Sequence, residues 1–165
     1  MSVSPSVTRI SKVRTLVVCG AAAAAALVPL TLVATPADAA TSRGGCTVAP
    51  LAPVRVGTTA GGLPIVRYST RVTCVKDRIV QVRDQRLEAD APGGIANDDN
   101  YGLTVYPLKT FAAAGTIVLS TRDVVTNTEA GNEETYHRVS FRVASINGVT
   151  AWTPFEFSPG LSVAI

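Results

Sequence analysis

The chain holds one histidine, one tryptophan and one methionine among 165 residues, and aromatic residues make up only 5%. Each scarcity excludes something. A metal centre built on imidazoles needs more than one histidine nearby. A Ser-His-acid triad needs its imidazole at a cleft, free to accept a proton. His137 sits on the apolar-facing side of a strand pattern, which reads as a structural side chain near a strand end. There is no G-x-S-x-G elbow, no phosphate-cradling glycine loop and no thiol paired with a histidine. Beyond the first 39 residues no stretch keeps a 3.6-residue apolar period, and no segment repeats, so helical bundles and solenoids are excluded as well.

The first 39 residues have the composition of an export signal. Arg9, Lys12 and Arg14 precede an apolar run from Thr15 to Ala34, and Ala37-Asp38-Ala39 supplies the small-x-small pattern of a cleavage site. The rival is a retained anchor, because the run reaches the ~20 residues of a spanning helix. The weakly apolar Ala21–Ala26 tract and Pro29 argue for cleavage instead. The expected product is one domain, residues 40–165, located outside the cell. Its twelve basic residues against eleven acidic ones leave +1, where the whole chain carries +3. That balance gives no general attraction to nucleic acid or membrane.

Cleavage leaves two of three cysteines, Cys46 and Cys74. In an oxidising compartment the expectation is a disulfide, and closing such a loop stabilises by about 3.5 kcal/mol on the chain-entropy estimate. A two-cysteine metal site would need further Cys or His close by.

Strands dominate the rest. Val66, Tyr68, Thr70, Val72 and Cys74 alternate with Arg67, Ser69, Arg71 and Thr73, the period of a strand with one buried face. After Val75-Lys76-Asp77-Arg78 the pattern resumes at Ile79–Arg83, and an antiparallel hairpin is the simplest arrangement. Thr116–Val125 is the most apolar run, and Ile117-Val118-Leu119 is expected to be buried on both faces. Phe111–Ala114 has room for one helical turn. His137, Val139, Phe141 and Val143 alternate with Tyr136, Arg138, Ser140 and Arg142, and Asn147-Gly148 then marks a two-residue turn. That register sets Ile146 opposite Val149 and Val143 opposite Trp152, so Trp152 is expected in the core beside Phe141. About seven strands in this length predict an all-β, immunoglobulin-like Greek-key sandwich, with a small β-barrel as the alternative.

Two surface features bear on function. Arg67 with Arg71, and Arg138 with Arg142 beside Tyr136, share strand faces; such faces suit a polyanion or a sulfated glycan, or simply solvate the sheet. Asp77, Asp84 and Glu88 are expected to neutralise part of this charge. Strand-direction parity brings three loops, Gly57–Pro64, Glu88–Tyr101 and Thr126–Glu134, to one pole. The candidate site there comprises Asp90, Asp98, Asp99, Asn100, Glu129, Glu133 and Glu134. Carboxylates on loops suit Ca²⁺, although Asp98-Asp99-Asn100 lacks EF-hand spacing; no other cofactor is suggested. Tyr101 and Tyr106 are the aromatic residues that an exposed contact patch would use. The expected function is a secreted, non-enzymatic module contacting a protein or glycan through this pole, with no nucleic acid and no membrane once the signal is gone. The alternatives are a small secreted hydrolase, using pole carboxylates or His137, and a structural component of the cell envelope.

Overall fold

The computed structural model describes residues 39–89, 98–126, 132–146 and 148–165. The expected export signal, apart from Ala39, therefore lies outside the described residues. Every regular element among them is a β-strand: β1 (Thr41–Arg43), β2 (Cys46–Thr58), β3 (Pro64–Cys74), β4 (Arg78–Glu88), β5 (Asn100–Val105), β6 (Lys109–Phe111), β7 (Gly115–Val124), β8 (Glu133–Ser145), β9 (Gly148–Val149), β10 (Glu156–Phe157) and β11 (Leu161–Val163).

These strands form two antiparallel sheets. The first has the order β1-β2-β3-β7; the second has the order β10-β8-β4-β5, with β6 also on β4 and β9 and β11 also on β8. One sheet curls as a half-barrel. The long strands thus group as β2-β3-β7 against β8-β4-β5, the connectivity of an immunoglobulin-like Greek-key sandwich.

The period-two alternations decide which face of each strand turns inward. In β3, Val66, Tyr68, Thr70, Val72 and Cys74 are buried while Arg67, Arg71 and Thr73 are exposed. In β8 every second residue from Glu133 to Val143 is buried. Cys46 and Cys74 are register partners on β2 and β3 and form a disulfide with Cα atoms 4.1 Å apart. The bridge ties neighbouring strands of one sheet and faces the core. Around it pack Val48, Val72, Val80, Val82, Phe111, Leu119, Val139, Phe141 and Val143. A smaller cluster of Val66, Tyr68, Val125 and Val163 fills the other end.

Several local expectations are corrected. β3 and β4 are not a hairpin: β3 pairs with β2 and β7, and β4 with β5, β6 and β8. Asp77 adopts a left-handed φ of 59° where the chain crosses between the sheets, so that both strands present apolar faces to one core. Val118 is exposed, because β7 pairs only with β3 among the described residues and edges the sheet with one wet face. The helical turn expected at Phe111–Ala114 does not form: Phe111 ends β6, which pairs with β4, and Ala112–Ala114 are an open bend.

In the last hairpin the turn is displaced by one residue and the pairing partners by two. Ser145 pairs with Gly148 and Ala144 with Val149, so Gly148, at φ 113°, closes the turn from inside the ladder, and Ile146 stands fully exposed. That shift alone keeps each side chain on its face. But from Thr150, whose amide donates to the Val143 carbonyl, to Thr153, whose amide donates to the Phe141 carbonyl, the terminal segment uses three residues against two on β8. The extra residue reverses which side chains face inward. Thr153 is buried in place of Trp152, and its hydroxyl accepts from the Phe141 amide at 3.0 Å. Trp152 is half-buried on the outer face.

Candidate functional site

At the long-loop pole, the ends of two connections meet. Glu88 pairs with Thr135, and the Ala89 amide donates to the Glu134 carbonyl at 2.7 Å. The first loop closes on itself where the Glu88 amide donates to the Asp99 carbonyl at 2.9 Å. Ile65, just beyond the Gly57–Pro64 turn, pairs with Val124 at the start of the Thr126–Glu134 connection. Asp90 and Glu129 lie outside the described residues. The remaining acids of the pole have different surroundings. Asp99, Asn100 and Glu134 are exposed, Asp98 is half-buried and Glu133 is buried. The Tyr136 hydroxyl donates to Asp98; burial first, then that bond and the Asp98 charge, push the phenol well above its ordinary range. Asn100 turns its side-chain oxygen onto the Gly102 amide at 2.9 Å. Among the described residues no three Asp, Glu, His or Cys side chains cluster as a metal site.

Tyr101 and Tyr106 do not form a surface patch. Tyr101 is half-buried against the small cluster, its hydroxyl donating to Glu88 Oε2 at 2.5 Å. Tyr106 packs against the large cluster, and its hydroxyl is buried without a hydrogen-bond partner among the described residues.

Between the two apolar clusters lies a polar layer that the sequence pattern did not suggest. It exists because the inward phase of β4 changes from Val80 and Val82 to Asp84, Arg86 and Glu88. Asp84 and Glu88 therefore do not neutralise the outer arginines. Opposite them on β8 are Glu133, Thr135 and His137, all buried. His137 Nε2 donates to the Leu51 carbonyl at 2.8 Å, and its Nδ1 shares a proton with Asp84 Oδ1 at 2.9 Å. Asp84 Oδ2 accepts from the Thr70 hydroxyl at 3.4 Å. The Arg86 guanidinium pairs with the Asp123 carboxylate across the sheets and donates to the Thr104 hydroxyl at 2.6 Å. Tyr68 meets the His137 ring edge-on, with centroids 5.6 Å apart, and shares a 2.5 Å hydrogen bond with Thr135. Desolvation raises its phenol to about 12, against a smaller lowering by that bond. Both nitrogens of the only imidazole are thus engaged and sealed from solvent, which removes it from acid-base work on a bound substrate.

The outer face of the β4–β8 sheet carries a different constellation. The Arg83 guanidinium carbon lies 4.7 Å from the Trp152 ring centroid and 4.5 Å from that of Phe155. Arg138 lies 4.6 Å from Phe155 and 5.8 Å from Phe157, and Arg142 lies 4.9 Å from Trp152. Six side chains therefore alternate cation and ring: Arg142, Trp152, Arg83, Phe155, Arg138, Phe157. Register explains half of the pattern, since Arg83 opposes Ser140, midway between Arg138 and Arg142. The rings come from the terminal segment, which follows the free edge of β8 in three short pieces. The sequence showed Arg138 and Arg142 but gave no sign of Arg83, because the extra residue between Thr150 and Thr153 that turns Trp152 outward was not legible.

Surface depressions open among the described residues. The one of about 410 Å³ on the outside of the first sheet is lined by Ala40, Thr47, Ala49, Arg71 and Thr73. No family model matches the chain, and no curated protein is similar to it. A solved crystal structure of a Northeast Structural Genomics Consortium target is similar at 10% identity with a TM-score of 0.39, covering 75% of this chain and 89% of that one. A likeness this distant transfers nothing.

Proposed function

We propose that the chain is an exported, non-enzymatic binding module whose partner docks on the long-loop pole. The observation that carries this reading is the junction of the two long connections, the 2.7 Å bond from Ala89 to Glu134, which sets exposed Asp99, Asn100 and Glu134 on one end of a rigid sandwich. Loops held by a packed scaffold are where recognition residues concentrate. Exposed carboxylates there favour a basic partner surface, and long-range attraction between the two speeds their encounter. The hydrolase alternative is weakened by the sealed surroundings of His137. A role as a passive envelope component leaves the acidic pole without a use.

The test is capture of partners from culture fluid and cell envelope, with the purified chain as bait. A partner that binds the native chain should be lost with Asp99→Lys/Glu134→Lys and kept with Lys76→Glu/Arg78→Glu at the opposite pole. A partner that both variants retain, or that both lose, overturns the pole as the docking site.

A further inference from the structure

We infer that the outer face of the β4–β8 sheet is a second binding surface, independent of the acidic pole, and that it takes an acidic polysaccharide. The inference starts from a count of donors and acceptors. Arg83, Arg138 and Arg142 make no ion pair with a carboxylate among the described residues. Their nearest polar partners are neutral. Arg138 Nε donates to Gln85 Oε1 at 3.0 Å, and Arg142 donates to Gln81 Oε1 at 2.9 and 2.7 Å. Because each glutamine spends its oxygen on a guanidinium, its amide NH₂ remains to donate outward. Arg83 Nε is buried with no acceptor among the described residues. The face therefore presents donors in excess of acceptors, and three positive charges without compensation.

Stacking makes these charges more than a solvated fringe. A guanidinium held against a ring has its plane fixed, so its N–H edges are already arranged for bidentate contact with a carboxylate or sulfate, and less side-chain freedom is lost on binding. Through their shared rings, Arg142 and Arg83 stand at most 9.6 Å apart and Arg83 and Arg138 at most 9.1 Å. A ligand that satisfies all three must carry anionic groups along an extended chain.

Two classes of polyanion fit less well. A single-stranded nucleic acid gains affinity from bases stacked on free aromatic rings, but Trp152 carries Arg83 and Arg142, and Phe155 carries Arg83 and Arg138. An acidic peptide that adds as a strand needs an unpaired ladder edge. The cations here stand on β4 and β8, and β8 is paired on both sides. A sulfated or uronate polysaccharide needs neither device: its charges sit on stiff rings, and its hydroxyl and ring oxygens accept from Gln81 and Gln85.

The experiment measures binding of the purified chain to dextran sulfate and to a polyuronate, with neutral dextran, polyglutamate and a single-stranded oligonucleotide as comparisons. Trp152 is the only tryptophan in the chain and lies inside the ladder, so its emission reports contact without any substitution. The expected result is a saturable emission change with the acidic polysaccharides that weakens as salt rises, and none with neutral dextran. Arg138→Gln/Arg142→Gln should weaken binding at least tenfold, whereas Arg67→Gln/Arg71→Gln on the other sheet should change it less than twofold. Equal or tighter binding of polyglutamate or the oligonucleotide would overturn the choice of ligand. Binding that leaves Trp152 emission unchanged, or that falls equally in both variant pairs, would overturn the site. The Asp99→Lys/Glu134→Lys variant should leave this binding intact, which separates it from the pole reading.

Discussion

A buried imidazole with two engaged nitrogens is an all-or-nothing arrangement. Removing it leaves the Asp84 carboxylate inside the core with, among the described residues, only the Thr70 hydroxyl at 3.4 Å, and an uncompensated buried charge costs far more than the pair contributes when intact. His137→Ala should therefore lower unfolding stability by about 3–5 kcal/mol. The double variant His137→Phe/Asp84→Leu should fall well short of the sum of its single substitutions. Urea unfolding of the four species measures both numbers. A His137→Ala chain within about 1 kcal/mol of the parent would mean that the pair carries no such burden. The sequence does not name the partner of His137, for a physical reason. Period two reveals that Asp84 shares a face with Val80 and Val82, but an acid in an inward phase reads more naturally as a misplaced surface residue. Only knowledge that β4 lies beside β8 reveals what neutralises it.

At the scale of elements, local pattern was legible and pairing was not. The alternations of β3 and β8 are present in the residues themselves, and so is the link between Cys46 and Cys74 once two cysteines remain. Whether β4 pairs with β3 or crosses to the other sheet depends on contacts distant in sequence, and the tight charged turn at Lys76-Asp77 serves either arrangement. The register of the terminal hairpin was hidden because Asn147-Gly148 names a turn without fixing which residues close it. Gly148 in the ladder at φ 113° is a conformation that side chains other than hydrogen strongly disfavour. A Cβ there would meet no neighbour within 4 Å, so backbone strain is the whole cost. Gly148→Ala should destabilise by about 1–3 kcal/mol. Gly115→Ala, likewise in open space but free of a positive φ, should stay within about 0.5 kcal/mol of the parent or gain slightly. Thermal unfolding of the two variants side by side checks the register directly: equal shifts would contradict it.

For the whole molecule, the polar layer predicts a weakness toward alkali. Tyr68 holds its proton up to about 12 in the folded chain, against 10.0 for an ordinary tyrosine. Tyr136 and Tyr106 are shifted in the same direction, each chiefly by burial. A phenol with a raised folded value contributes fully while the unfolded chain is still protonated, and the contribution disappears as pH climbs through the folded value. Stability should therefore hold up to about pH 10 and fall between about pH 10 and 12, by roughly 3 kcal/mol for Tyr68 alone. Tyr68→Phe should flatten that fall while lowering stability at neutral pH through the lost bond to Thr135. Urea midpoints recorded across the alkaline range provide the measurement, and a curve that Tyr68→Phe leaves unaltered would remove Tyr68 as its source.

The broken terminal strand also governs how copies of this molecule meet one another. A continuous outer strand would expose a row of unpaired amides and carbonyls, a template on which another chain can add its own strand. Here the segment covering β8 pairs with it as a strand only at Gly148–Val149, Glu156–Phe157 and Leu161–Val163 among the described residues, with isolated bonds from Thr150, Thr153 and Ser158 between them. Pro154 and Pro159 fall in the gaps and supply no amide. An incoming strand finds two or three rungs and then none. The irregularity that brings Trp152, Phe155 and Phe157 against the arginines thus also blunts this border of the sheet, and crowded copies have little foothold there for growing into a fibre.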